Sequence, residues 1–288
     1  LLPAVAAAAA LALSACGGSS GGDNPTLTQP SGSAAGNPLA AKVPDAIKAD
    51  GKIVVGTDST YAPAEFLAAD GKTIQGFDVD LFNAVAKQLG LKAEFVTASF
   101  DAIIPGVGSG KYEIGVSSFT INPERTKVVD MISYFQAGTQ WGAKAGASID
   151  PDNACGKKVA VQKATVQVTD LEARSKKCVA AGKPKITIDQ YQDQGVATSA
   201  VLSGKEDAML ADSPVIAYAV KQTNGKLALV GNIYDSAPYG FVIKKGDTAF
   251  ADVLVEALKA AIADGSYKTA LSKWGGEQGG ITDPKVNP

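Results

Sequence analysis

S-G-K-Y-E-I-G-V-S-S-F-T-I-N-P-E-R-T-K-V-V-D, from Ser109 to Asp130, reads as a turn, a short apolar strand, a run of hydroxyls at Ser117, Ser118 and Thr120, and a polar segment carrying Arg125. Arginine occurs only here and at Arg174, which sits beside Lys176 and Lys177 on what reads as a solvated helix face. A planar fork of donors near small hydroxyls suits two-point capture of a carboxylate. A surface arginine opening a helix is the plainer alternative.

The opening of this stretch returns later in the chain. Ser203-Gly204-Lys205-Glu206-Asp207 parallels Ser109-Gly110-Lys111-Tyr112-Glu113, and each precedes a short apolar run that ends in polar side chains. Counted across, Ser118 falls opposite Asp212. A second pair matches as well: I-V-V-G-T-D-S-T after Lys52 and K-V-A-V-Q-K-A-T after Lys157 place Thr60 and Thr165 alike. The echoes predict two similar lobes. One supplies Ser117, Ser118, Thr120 and Arg125; the other supplies Thr165 and Asp212. A zwitterion fits between a cation with hydroxyls and a carboxylate. Since S-G-K is a common turn, a pair of unrelated turns is the competing reading.

Outward from these landmarks, short apolar runs alternate with segments of helical period. The pattern predicts an α/β fold of two similar lobes with mostly parallel sheets and ligand sites at the carboxyl ends of strands. The lobes are expected at 43–138 plus 240–288 and at 139–239. The chain then crosses twice, near Gly138 to Gly142 and near Ala237 to Gly240, which makes a hinge beside a ligand cleft. Leu227 to Val230 and Tyr239 to Ile243 read as separate extended runs, and Pro105 is expected to limit a helix that starts at Phe100. The G-V-G-S-G from Gly106 to Gly110 does not lead from a strand into a helix, so it is not read as a phosphate loop.

The net charge is −2, with no basic run, which argues against nucleic-acid binding. Histidine is absent. Ser-His-Asp and Cys-His catalysis and His-ligated metals are thereby excluded, and carboxylate or lysine chemistry stays open. No cofactor or metal is expected.

Leu1 to Leu13 is apolar and Ala-rich, and too short for a membrane span of about 20 residues. Residues 1–15 read as a signal peptide truncated at its start. Leu13-Ser14-Ala15-Cys16 resembles the lipobox of bacterial lipoproteins, in which Cys16 is lipidated and anchors the chain to the cell membrane. Residues 16–42 are rich in Gly, Ser and Pro and read as a flexible tether. With Cys16 set aside, Cys155 and Cys178 remain as an even pair, which in an exported protein suggests a disulfide; two free thiols are the other reading.

Five ordered motifs carry a wider resemblance: V-G-T-D-S-T-Y-A-P-A-E-F (Val55 to Phe66), G-F-D-V-D-L (Gly76 to Leu81), F-D-A-I-I-P-G-V-G-S-G-K-Y-E-I (Phe100 to Ile114), S-S-F-T-I-N-P-E-R (Ser117 to Arg125) and D-A-M-L-A-D-S-P-V (Asp207 to Val215). Together they resemble the polar amino-acid-binding proteins of ABC importers, the family 3 extracellular solute-binding proteins. The resemblance implies a monomer that binds a free amino acid, polar or cationic, and hands it to an ABC permease. It implies that Arg125, with Thr120 and Thr165, meets the α-carboxylate, and that Asp212, with Ser118, meets the α-ammonium. It places Tyr61 over the ligand and Asp58 near the ligand side chain, where a loop-capping role for Asp58 is equally open. Two positions depart from the family pattern. Ala64 stands where an aromatic is usual, which points to Trp141 as a substitute, and Ala164 stands where glycine is common. Two readings compete with a transport receptor. One is a dehydratase of cyclic carboxylates using Glu65 or Asp58 as acid or base, and the other is an extracellular sensor.

Overall fold

Val- and Ile-rich runs of four to six residues bury both faces only inside a sheet, and the amphipathic segments between them must cover that sheet. The computed structural model describes residues 38–288. The expected leader, Cys16 and most of the tether lie outside the described residues. The packed body begins before Val43, because Leu39 packs against the core and Lys42 pairs with Glu256 at 2.6 Å.

The first part of the chain forms α1 (Asp45–Lys48), β1 (Lys52–Thr57), β2 (Thr60–Tyr61), β3 (Glu65–Leu67), β4 (Ile74–Gln75), α2 (Phe77–Gln88), β5 (Lys92–Thr97), α3 (Phe100–Ser109), β6 (Ile114–Gly115), α4 (Pro123–Thr126) and β7 (Val129–Lys144). It continues as β8 (Lys158–Gln162), α5 (Val166–Ala180), β9 (Thr187–Tyr191), α6 (Gln194–Ser203), β10 (Ala208–Asp212), α7 (Ser213–Gln222), β11 (Leu227–Lys244), α8 (Thr248–Ala263) and α9 (Ser266–Ser272).

Eight strands form one mixed sheet in the order β5-β1-β6-β11-β7-β10-β8-β9. β1 runs parallel to β5 and β6, and β8 runs parallel to β9 and β10. The long antiparallel pair β7 and β11 joins these two parallel halves. The two extended runs read as separate are a single strand, β11. It pairs with β7 from Leu227 opposite Lys144 to Lys244 opposite Val129, with register shifts between Val230 and Ala237 and at Tyr239/Gly240. Both expected crossings therefore lie inside one ladder, where Ala237 faces Ala137.

The S-G-K echo is a structural repeat. α3 and α6 each end on a left-handed glycine, Gly110 at φ 79° and Gly204 at φ 84°, and each cap N–H returns to the last helical turn. Each cap then feeds a buried strand, β6 or β10. Pro105 does not end α3, which continues to Ser109. Its ring removes only one backbone donor, while Ile103 and Val107 stay buried on the core side. Gly106 is required here by close approach, since a Cβ would sit 2.5 Å from the Tyr112 ring.

Three apolar cores follow from this layering. Ile53, Val55, Leu81, Phe82, Leu254 and Leu258 belong to the largest one, under α2 and α8. Val159, Val161, Leu171, Leu210 and Trp141 belong to a second, under α5, and Phe100, Ile103, Tyr112, Phe119 and Met131 to a third, around α3. Cys155 and Cys178 are joined by a disulfide beside the second core. Among the described residues no helix is long and apolar enough to cross a membrane.

Candidate ligand-binding cleft

Four strand ends converge. β1 leads into Asp58, β6 into Ser117 and Ser118, β8 into Thr165, and β10 ends on Asp212. All four are carboxyl ends of parallel-paired strands, where open α/β sheets bind ligands. They enclose a cavity of about 10 Å³, room for roughly one water. Asp58, Tyr61, Phe100, Ser118, Thr120 and Arg125 form one wall, and Gln162, Thr165, Val166, Gln167 and Asp212 form the other.

One end of the cavity is built for an anion. The Arg125 guanidinium lies 5.4 Å from the Phe100 and Phe119 rings, which stack on each other at 4.5 Å. It donates to the Thr120 carbonyl at 2.7 Å and to the Ala164 carbonyl at 3.2 Å. Burial pulls its pKa down to about 10, opposed by the nearby Asp212 charge, so it remains a cation at neutral pH. Facing it is the N-terminus of α5, with Thr165 at the N-cap position. First-turn N–H groups lack helical partners and attract anions. Ala164 takes φ 63°, a left-handed conformation that glycine adopts more readily than alanine.

The opposite charge is Asp212, which is buried. Its Oδ2 accepts from the Tyr61 hydroxyl at 2.9 Å and its Oδ1 from Gln167 Nε2 at 2.8 Å. Burial raises its pKa, while hydrogen bonds and the Arg125 charge pull the other way. Asp58 is saturated. Its Oδ1 accepts from the Thr60 N–H and hydroxyl, and its Oδ2 accepts from the Phe100 N–H and from Gln162 Nε2 at 2.9 Å. The loop-capping role is therefore present, yet Asp58 also lines the cavity. Burial raises its pKa against those same bonds.

Two expected residues lie elsewhere. Ser117 sits one layer behind the wall, accepting from the Asp58 N–H at 3.0 Å and donating to Glu65 Oε1 at 2.9 Å. Trp141 is away from the cleft altogether. It is fully buried in the core under α5, with its Nε1 donating to the Tyr234 hydroxyl at 3.1 Å. Neighbouring strand residues point to opposite faces, and the register of β7 turns this ring into the second core. The aromatic faces of the cavity are Tyr61 and Phe100. Phe100, Gln162 and Gln167 were missed from the sequence. Phe100 opens the F-D-A-I-I-P motif, which was legible; the two glutamines carry no local signal, because only the fold turns them onto Asp58 and Asp212.

Residues 53–277 match the bacterial extracellular solute-binding proteins, family 3. An arginine-binding protein of Corynebacterium glutamicum is 36% identical over 252 residues, covering 86% of this chain and 82% of the relative. An ancestral arginine-binding protein, solved with glutamine bound, superposes with a TM-score of 0.72 at 34% identity, covering 79% of this chain and 99% of that one. An ancestral amino acid-binding protein that is a precursor of cyclohexadienyl dehydratase superposes with a TM-score of 0.68 at 36% identity, covering 80% and 98%. With the charge pair, the strand-end site and the family match in agreement, this chain belongs to the family 3 bacterial extracellular solute-binding proteins.

Proposed function

We propose that this protein captures a free amino acid between two lobes, 43–138 plus 240–288 and 139–239, and delivers it to an ABC permease. The observation that carries the reading is the pair of opposite charges, Arg125 and Asp212, facing one cavity from opposite walls. Arg125, Thr120, Thr165 and the α5 N-terminus receive the α-carboxylate. Asp212 and Ser118 receive the α-ammonium, and Tyr61 and Phe100 flank the ligand. At the far end, Asp58 and Gln162 meet the side chain. A guanidinium or ammonium replaces the Gln162 amide as donor to Asp58 Oδ2, so the favoured ligand is cationic, with arginine first. Glutamine, bound by an ancestral relative, offers the same amide donor and comes next.

A 10 Å³ cavity holds no amino acid. Entry requires the bonds across the cleft, Tyr61 to Asp212, Gln162 to Asp58 and Arg125 to Ala164, to give way, which is hinge opening about the β7/β11 ladder. The chain is proposed to act as a monomer tethered to the membrane through a lipid on Cys16.

The dehydratase reading draws on the ancestral precursor relative. Of its two acid candidates, Glu65 is fully buried behind the wall and outside the cavity lining, and Asp58 has both oxygens hydrogen-bonded. Glu65 does not reach the cavity, and Asp58 stays an acceptor for the Thr60 and Phe100 N–H groups even when Gln162 leaves, so the receptor reading is preferred. Calorimetric titration with arginine, lysine, histidine, glutamine and glutamate tests it. Saturable one-site binding of at least one of the first four is expected; no heat from any of them would remove the proposal.

A further inference from the structure

Behind Ser117 and Ser118, two carboxyls share one dry site. Glu65 on β3 and Asp78 in the first turn of α2 are each 0% exposed. Glu65 Oε1 accepts from the Ser117 hydroxyl at 2.9 Å. Asp78 Oδ2 accepts from three donors: the Ser118 N–H at 2.8 Å, the Ser118 hydroxyl at 3.1 Å and the Tyr134 hydroxyl at 2.6 Å. Asp78 Oδ1, equally buried, accepts from no ordinary donor. Buried acceptors are rarely left unpaired, and two ionised carboxylates in contact inside a protein repel strongly. The Ser118 hydroxyl brings the two carboxyls together, lying 3.1 Å from Asp78 Oδ2 and 3.5 Å from Glu65 Oε2.

One proton resolves both problems. Carried by Glu65, it supplies the missing donor to Asp78 and removes one of the two charges. The titratable groups facing the pair are Asp58 from the β1–β2 turn, Tyr61 on β2 and Tyr134 on β7, none of them a cation. Burial first, and then the Asp78 charge, hold the Glu65 carboxyl well above the ordinary range. Burial raises Asp78 too, but the Tyr134, Glu65 and Ser118 hydrogen bonds oppose it.

We propose that Glu65 and Asp78 share a single proton at neutral pH, Glu65 as the acid and Asp78 as the carboxylate, and that this pair positions Ser118 at the ammonium end of the cleft. Ser118 needs such support, because its backbone sits at φ 49°, a left-handed conformation uncommon for serine. Its N–H and hydroxyl are both held by Asp78 Oδ2, and the same residue lines the cavity. Glu65 and Asp78 touch no ligand; they act through Ser118. The protonation claim stands on the unliganded protein, whereas the positioning claim rests on the amino-acid-binding reading above.

The direction with pH follows. A carboxyl whose folded pKa is raised binds more protons in the folded state than in the unfolded one. Stability is then greatest below the ordinary carboxylate range and falls as pH rises toward the folded value. Loss of the shared proton leaves two charges, parts the pair and frees Ser118.

Infrared difference spectroscopy on the full unliganded chain, with carbon-13 in the glutamate carboxyls, tests the proton. A protonated carboxyl carbonyl band that shifts with the label is expected at neutral pH, and is expected to vanish in Glu65→Gln. Absence of that band in the wild type, or its survival in Glu65→Gln, overturns the shared proton. Binding of arginine or glutamine tests the positioning. Glu65→Gln keeps an acceptor for Ser117 and an N–H for Asp78, so it is expected to bind within about threefold of the wild type. Glu65→Ala, which leaves Asp78 Oδ1 bare, is expected to bind about tenfold more weakly. Its thermal melts from about pH 5 to about pH 9 should flatten in Glu65→Gln relative to the wild type. Equal affinity in Glu65→Ala and the wild type removes the positioning role. A wild type that binds no amino acid removes the functional reading, and the infrared result still decides the proton.

Discussion

Arg125 forms no ion pair within 4 Å among the described residues; its donors go to two backbone carbonyls. A half-buried cation held by neutral dipoles over two aromatic rings is prepared for one more anion, and in an amino-acid receptor that anion is the α-carboxylate. Arg125→Ala is expected to weaken binding by about 3–5 kcal/mol, since it leaves the ligand carboxylate enclosed and unpaired. Arg125→Lys keeps the charge but loses the planar fork, and is expected to lose roughly tenfold. Calorimetry on both variants, with circular dichroism to show that each is folded, separates charge from geometry; an unchanged dissociation constant in Arg125→Ala would mean the carboxylate sits elsewhere. That Arg125 and Asp212 come to one cavity was legible because arginine is rare and the echo put Asp212 opposite Ser118. Trp141 was misread and Gln162 and Gln167 were missed for a shared reason. A side chain's face depends on strand register and on what packs over it, and neither is written in the residue's own neighbourhood.

At the scale of elements, the rim of the cleft carries its own fastening. Lys163, just after β8, pairs with Asp101 in the first turn of α3 at 2.7 Å, and Gln192 Nε2 donates to the other Asp101 oxygen at 3.0 Å. These bonds join the two walls without touching the cavity. Lys163 first lowers the Asp101 pKa, which comes down to about 2. A carboxyl depressed in this way favours the joined state above its ordinary range, near 3.9, and the benefit is lost as pH falls toward about 2. Both groups are partly exposed, so the pair contributes no more than about 1 kcal/mol. Lys163→Ala is therefore expected to weaken ligand binding by about two- to fivefold, mainly through faster dissociation, with the difference shrinking in high salt. Stopped-flow release measured at two salt concentrations checks this; a salt-independent loss would point to a packing effect instead. The β7/β11 ladder, the proposed hinge, is closely packed at Gly138. A Cβ on Gly138 would come within 2.7 Å of the Tyr234 carbonyl and of the Ser236 hydroxyl. Gly138→Ala is thus expected to destabilise the folded chain by about 1–3 kcal/mol, read as a lower midpoint in urea. The strands and helices on either side were legible because their apolar periods are local. That β11 runs unbroken past Tyr234 was not, because its polar middle is held by pairing with a strand nearly a hundred residues earlier.

For the whole molecule, the largest core spans both halves of the sheet. It gathers most of the buried aromatics and runs under α2, α8 and α9 and also under α6 and α7, whereas the core under α5 is a much smaller cluster. The disulfide lies with the smaller core. It joins Cys155, ahead of β8, to Cys178 near the end of α5, closing a loop with a sequence separation of 23. The even cysteine pair was the one long-range contact open to arithmetic from the sequence, and the extracellular family of this chain fits the oxidising setting such a bond requires. On the chain-entropy account, closing a loop of that length stabilises by about 3 kcal/mol. The Cys155→Ser/Cys178→Ser double variant is accordingly expected to melt roughly 6–12 °C lower. Neither cysteine lines the cleft, so its affinity for amino acid at low temperature should match the wild type. Scanning calorimetry, run with and without saturating ligand, makes the separation visible. Ligand should raise both midpoints by the same free energy, because mass action depends on affinity alone. A double variant that melts with the wild type would show that the small core holds itself; one that melts lower and also binds weakly would show that the loop between β8 and α5, which carries Thr165 to the cavity, depends on the bond.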